Sequence, residues 1–127
     1  MSLAAAPPVS FVGTPDHRKA KTWYDDTLGL TLVSEDDFAA VFDLAGTMLR
    51  LTSLGKGHTP SPHTVLGWIV PDLPAAMAAL KAKGVKFEVY PGMGMDADGY
   101  WTAPGGGPKI AWFLDPDGNN LSLTQFG

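Results

Sequence analysis

The sequence predicts an α+β fold built from two copies of one βαβββ unit, and two observations carry that prediction. The first is an internal repeat: Val9-Ser10-Phe11-Val12-Gly13-Thr14-Pro15-Asp16 runs parallel to Val65-Leu66-Gly67-Trp68-Ile69-Val70-Pro71-Asp72. The second is a shared tail, G-x-x-L-x-L-T, which reads Gly46 to Thr52 in one copy and Gly118 to Thr124 in the other. Self-similarity of this kind means that each copy is one supersecondary unit.

Each copy opens on a β-branched and aromatic run ending in Pro-Asp, the pattern of a strand feeding a helix start. In the first helix Ala20, Trp23, Tyr24 and Leu28 fall at helical spacing, with Lys19, Lys21, Asp25 and Asp26 facing away. In the second, Leu73, Ala76, Met77 and Leu80 form the stripe. Lys81 and Lys83 crowd its last turn, where the helix dipole favours cations. Both helices stop at a glycine, Gly29 and Gly84, as a left-handed cap requires. Short strands are expected next, at Leu30 to Val33 and Val85 to Tyr90. Then Ala40-Val41-Phe42 answers to Ala111-Trp112-Phe113, and each glycine turn closes a hairpin with one buried face. The chain is thus expected to form a single domain over residues 1–127, with module 1 at about 9–54, a linker at 55–63 and module 2 at about 64–126.

The copies differ in length, 30 residues separating Asp16 from Gly46 but 46 separating Asp72 from Gly118. The excess lies mainly in Pro91 to Pro108, where Met93, Met95, Tyr100 and Trp101 sit among six glycines. Loops of this length are functional or disordered. Leaving four large apolar side chains in water costs about 1.5–3 kcal/mol each, so the segment is expected to close as a lid.

Bulk properties narrow the function. Thirteen acidic against nine basic residues give a net charge of −4 with no basic run, which disfavours nucleic acid. The longest apolar stretch, Val65 to Val70, is far below the ~18 residues of a membrane span. Met1 to Pro8 lacks a positive n-region and an apolar core, so no signal peptide is expected there, and the segment should be poorly ordered. With no cysteine there are no disulfides and no thiolate chemistry, in keeping with a reducing cytoplasm.

Thr22-Trp23-Tyr24-Asp25-Asp26-Thr27-Leu28-Gly29-Leu30 resembles the "FYxxxLGL" helix end of the glyoxalase/bleomycin resistance protein/dioxygenase (vicinal oxygen chelate, VOC) superfamily. Ala111-Trp112-Phe113-Leu114-Asp115-Pro116-Asp117-Gly118-Asn119 is similar to its "xxFxDPDGN" hairpin, and the resemblance covers about residues 9 to 126. It implies two βαβββ modules whose mixed sheets curve into a ligand cleft. In the family's metal enzymes four cleft-facing His or Glu side chains come from the first and last strand of each module. Carried over residue by residue, those positions are Val9, Arg50, Val65 and Ser122. Val9 and Val65 have no lone pair, Ser122 is a weak neutral oxygen, and Arg50 is a permanent cation that repels a metal. No metal and no cofactor are therefore expected, and the family's metal chemistry does not transfer. His17, His58 and His63 do not replace the set: His17 opens a helix, and His58 and His63 flank Thr-Pro-Ser-Pro without a nearby acid.

Arg50 alternates with Leu49 and Leu51, so it points to the opposite face. It either receives an anionic group of a ligand, or pairs with Asp43 or Asp98, or snorkels to water. Trp68, Trp101, Trp112 and Tyr100 are candidates for an aromatic wall, with Ser122 beside them. Trp112 has a competing structural role, since it answers to Val41, and Trp23 belongs to the helix core. Asp115-Pro116-Asp117-Gly118-Asn119 is read as a turn rather than a catalytic carboxylate pair. No catalytic residue is assigned. The expected function is a metal-free, cytoplasmic, homodimeric protein that binds a small amphipathic molecule with an anionic end. The alternative is a glyoxalase- or dioxygenase-related enzyme, metal-free or with an atypical metal site.

Overall fold

The computed structural model describes residues 2–127, and the expectation for Met1 lies outside them. The chain forms two compact units that divide between Thr59 and Pro60, inside the segment expected to be a linker.

In the first unit the order is β1 (Val9–Thr14), α1 (His17–Asp26), β2 (Thr31–Glu35), β3 (Ala39–Leu44) and β4 (Thr47–Ser53). These strands make a mixed sheet ordered β1-β4-β3-β2, with β1 parallel to β4 and the other pairs antiparallel. Asp16 caps α1 by accepting from Arg18 N at 3.0 Å. Past the helix Gly29 adopts φ 69°, the left-handed conformation a chain reversal needs there. Ala20 and Tyr24 of α1 are buried on the sheet face that carries Val12, Phe42, Leu49 and Leu51. Tyr24 and Phe42 have ring centroids 6.1 Å apart. Trp23 is only half-buried, its ring edge-on to Tyr24 at the rim of this core.

His17 is fully buried. Its Nε2–H donates to the Asp36 carbonyl at 2.9 Å, so Nδ1 is free to accept from the Ser53 hydroxyl, which in turn accepts from His17 N at 2.9 Å. This ring ties the helix start to the ends of β2 and β4 and is a structural member.

The second unit runs β5 (Thr64–Ile69), α2 (Leu73–Lys81), β6 (Tyr100–Thr102), β7 (Lys109–Leu114) and β8 (Asn120–Gln125), with sheet order β5-β8-β7-β6. Asp72 caps α2 by accepting from Ala75 N, and Leu73 and Met77 bury its apolar stripe. The core face carries Trp68, Phe113, Phe87, Leu121 and Leu123. Phe113 packs against Trp68 at 6.5 Å and edge-on to Phe87 at 5.5 Å.

Two expectations need correction here. Val85 to Tyr90 is not a regular strand: Phe87 alone bridges Phe113, and Glu88 N donates to the Trp112 carbonyl at 2.8 Å. The fourth strand is instead β6, from the segment expected to be a lid. Tyr100, Trp101 and Thr102 pair antiparallel with Ala111, Ile110 and Lys109. The flanks are tied as well, Asp96 N to the Tyr100 carbonyl and Ala103 N to the Pro108 carbonyl. Tyr100 and Trp101 are thus placed by a sheet edge, while Met93, 41% exposed, stays outside it. Ahead of β1, Ala6 N donates to the Leu3 carbonyl, closing a turn.

Candidate functional site

In the first unit α1 covers one face of the sheet, and the alternate residues Val9, Phe11, Val41, Met48 and Arg50 line the other. Phe11 is 62% exposed there. Register puts Arg50 of β4 between Phe11 of β1 and Val41 of β3. Beside it opens a pocket of about 540 Å³ lined by Pro7, Pro8, Val9, Val33, Val41 and Met48 along with Asp43 and Arg50. That volume lies in the range of small-molecule sites, and the lining is mostly apolar.

Arg50 is half-buried in this pocket, and no described residue of its own unit makes an ion pair or hydrogen bond with its guanidinium. Asp43, a partner considered from sequence, accepts from Gly46 N at 3.1 Å across the β3–β4 turn. The acid that feels Arg50 is Asp36. The backbone N–H groups of Phe38 and Ala39 hold its carboxyl below the usual 3.8, and Arg50 adds a smaller Coulombic pull.

The open face of the second unit carries a different set. Trp101 pairs with Ile110, and Trp112 pairs with Ser122, which pairs with Gly67. The two indoles have centroids 6.5 Å apart, and Tyr90 meets Trp112 edge-on at 5.8 Å. Both indoles are half-buried, while Ser122 is 8% exposed. Of the residues expected from sequence, the structure therefore brings Trp101, Trp112 and Ser122 to one face.

Tyr100 and Trp68 fall on the other side. Tyr100 pairs with buried Ala111 and lines a groove beside α2 with Met77 and Lys81, and Trp68 stacks on Phe113 in the core. Strand parity alone separates Trp68 from Val65 and Tyr100 from Trp101. The turn at Asp115 is structural, as expected: its carboxylate accepts from Asp117 N, Asn119 N and Asn119 Nδ2, all within 2.9 Å. His63 is exposed, whereas His58 packs its ring over Gly13 with a buried, unpartnered Nε2.

The positions that correspond to family metal ligands are thus Val9 and Arg50 on one open face and Val65 and Ser122 on the other. Two hydrocarbons, a cation and a neutral hydroxyl do not fit a divalent metal. Among the described residues no three His, Cys, Asp or Glu side chains gather as a metal-holding group, and no helix is long and apolar enough to cross a membrane.

Residues missed in the sequence cluster around Asn120. Trp112 Nε1 donates to Thr64 Oγ1 at 3.1 Å, Thr64 Oγ1 to Asn120 Oδ1 at 3.0 Å, and Asn120 Nδ2 to the Tyr90 hydroxyl at 3.0 Å. Asn120 follows directly on the turn read at Asp115 to Asn119 and was not singled out. The available signal was that Asn120 stands at the first paired position of β8, inside the strand rather than the turn.

Comparison with known proteins gives concordant results. The family model described as Glyoxalase/Bleomycin resistance protein/Dioxygenase superfamily matches residues 8–123. Among solved structures, lactoylglutathione lyase from Agrobacterium tumefaciens is 16% identical with a TM-score of 0.72, covering 98% of this chain and 96% of that one. A superfamily member from Sphaerobacter thermophilus is 22% identical with a TM-score of 0.73, covering 98% and 99%. TioX from Micromonospora sp. ML1 is 19% identical with a TM-score of 0.70, covering 97% and 100%. At these identities the likeness to solved structures speaks for the fold. No curated protein matches.

Proposed function

Since the chain belongs to the glyoxalase/bleomycin resistance protein/dioxygenase superfamily, we propose that it is a member that binds, without a metal at the family positions, a small amphipathic molecule through an anionic end. One observation carries this: Arg50, a permanent cation, stands half-buried among Val9, Val33, Val41 and Met48 with no acid of its own unit paired to it. Partial burial of a charge in apolar surroundings is costly unless an opposite charge offsets it. A carboxylate bound in two-point fashion by the guanidinium supplies that charge, and the aliphatic walls receive the ligand's apolar body.

The same proposal takes the protein as a cytoplasmic homodimer. Each sheet has unpaired edge strands, β1 and β2 in one and β5 and β6 in the other, and edges of this kind are commonly covered by a partner. Light scattering that finds a monomer at micromolar concentration would remove the dimer from the picture.

Binding is tested by calorimetry with phenylbutyrate against its neutral amide. Arg50→Ala should weaken phenylbutyrate by about 1.5–3 kcal/mol, the scale of a charge-assisted hydrogen bond, and leave the amide unchanged. Equal affinity for acid and amide, with Arg50→Ala indifferent to the difference, defeats the proposal.

A further inference from the structure

A second pocket, of about 310 Å³, opens in the second unit between the segment Pro60-Ser61-Pro62, the residues Glu88 and Tyr90, and the turn before β8. It is a built feature. The Pro60 ring lies against Gly118, where a Cβ would stand 3.1 Å from Pro60 Cγ, and Gly118 holds φ 90°. Asn120, 6% exposed, contributes to its lining.

Its polar chemistry follows from a chain of donors and acceptors with one consistent assignment. The Trp112 indole N–H can only donate, so Thr64 Oγ1 accepts from it and spends its own proton on Asn120 Oδ1. That fixes the amide: Asn120 Nδ2 donates to the Pro62 carbonyl and to the Tyr90 hydroxyl. Tyr90 Oη is thus an acceptor toward Asn120, and its proton is left over for the pocket. Glu88, two residues earlier on the same extended segment, is the one charged residue of the lining, and its carboxylate has no ion pair or side-chain hydrogen bond within its unit. Pro60, Pro62 and Leu114 supply apolar walls.

We propose that this pocket is a binding site for a small organic ammonium that also carries a neutral oxygen acceptor. The ammonium pairs with Glu88, the oxygen accepts from the Tyr90 O–H, and the alkyl part lies on the prolines and Leu114. A site with one carboxylate and no cation selects for positive charge. Because Tyr90 packs on Trp112 and shares its hydrogen-bond chain, occupancy changes the indole's surroundings.

The test is a titration of the full chain with methoxypropylammonium, followed by tryptophan fluorescence and by calorimetry. Butylammonium and N-acetylated methoxypropylamine serve as controls. Saturable binding of methoxypropylammonium is expected, with the neutral acetylated compound at least about tenfold weaker, as for the loss of a charge-assisted hydrogen bond. Glu88→Gln should lower ammonium affinity by about tenfold or more with circular dichroism unchanged. Tyr90→Phe should reduce methoxypropylammonium to the level of butylammonium. The proposal is overturned if methoxypropylammonium does not saturate, if the acetylated compound binds as well, if Glu88→Gln folds and binds unchanged, or if Tyr90→Phe keeps the preference for the methoxy compound.

Discussion

At the middle of each sheet three strands place three side chains in one row, and the two rows are filled in opposite ways. In the first unit the row is Phe11–Arg50–Val41, and in the second it is Gly67–Ser122–Trp112. The bulk sits on the first strand of one module and on the third strand of the other. The central position is a long cation in one and a small hydroxyl in the other. Gly67 is closely approached: a Cβ there would lie 2.5 Å from Ser122 Oγ and 3.3 Å from the Ser122 carbonyl oxygen, so a side chain requires Ser122 to shift. Phe11, its counterpart, stands well clear in solvent at 62% exposure. The two sheets share the same pairing at this row while their open faces differ, because helix packing constrains only the other face. The lesson is that the buried faces record the fold, while the open faces are left free to differ.

The largest effect should come from exchanging the central residues. Ser122→Arg puts a guanidinium at a site that is 8% exposed, ringed by Trp112 and Gly67, and should cost about 3 kcal/mol or more as an uncompensated buried charge. Arg50→Ser, by contrast, removes a half-buried cation that no acid of its own unit neutralises. Its stability change should stay within about 1 kcal/mol in either direction, as for an ion without a partner. Urea unfolding of both variants reads the difference. Equal destabilisation would mean that the rows are energetically alike and the contrast drawn above is false.

A smaller effect sharpens the close approach at Gly67. Gly67→Ala should destabilise by about 1–3 kcal/mol through overpacking against Ser122. Part of that loss should return in the double variant Gly67→Ala, Ser122→Gly, which takes away the clashing hydroxyl. Phe11→Gly, at the matching position, meets no such neighbour and should cost about 1 kcal/mol through strand propensity alone. Thermal melts in which Gly67→Ala is silent would show that Ser122 simply rotates away.

How much of this was legible in the residues depends on which face one asks about. The repeat, the Pro-Asp helix starts and the helix stripes all reported burial, and Asp16 and Asp72 are indeed the N-caps. Val85 and Phe87 are buried as their alternation implied, but the ladder partner of β7 is Tyr100 to Thr102. Periodicity states which side chains leave water, and says nothing of which backbone completes the hydrogen bonds. On the open faces the signal was weaker. Arg50 was visible because a charge alternating with leucines is unusual. The Thr64–Asn120–Tyr90 chain was not, because it joins residues 56 and 30 positions apart that look unremarkable one at a time. Trp68 and Tyr100 show how parity divides residues of one type: both were grouped with Trp101 and Trp112, and strand alternation puts them on the helix side.

The smallest expected effect concerns acid stability, and it belongs to the first unit's β2–β3 connection. Glu35 lies below the usual 4.5 chiefly because Lys21 Nζ donates to its carboxylate at 2.8 Å, with further pull from the charges of Lys21 and Arg18. Asp36 lies below 3.8 because Phe38 N and Ala39 N donate to it at 2.8 and 2.9 Å. A carboxyl whose folded pKa is depressed binds protons more readily when unfolded, so its stabilising contribution is present above the ordinary value and fades as pH falls through the depressed one. The melting temperature should therefore hold level through neutral pH and begin to decline once pH drops below the ordinary glutamate value of 4.5. Lys21→Gln should flatten the upper part of that decline by removing the main cause at Glu35. Asp36→Asn, whose amide oxygen still accepts from Phe38 and Ala39 but cannot titrate, should flatten the lower part. Asp36 is exposed and the Glu35 side chain keeps 27% of its surface in water, so each change is a modest shift in slope rather than a loss of folding. If both variants melt with the wild-type pH slope, the acid limb arises elsewhere, and the turn that anchors His17 through the Asp36 carbonyl is electrostatically silent.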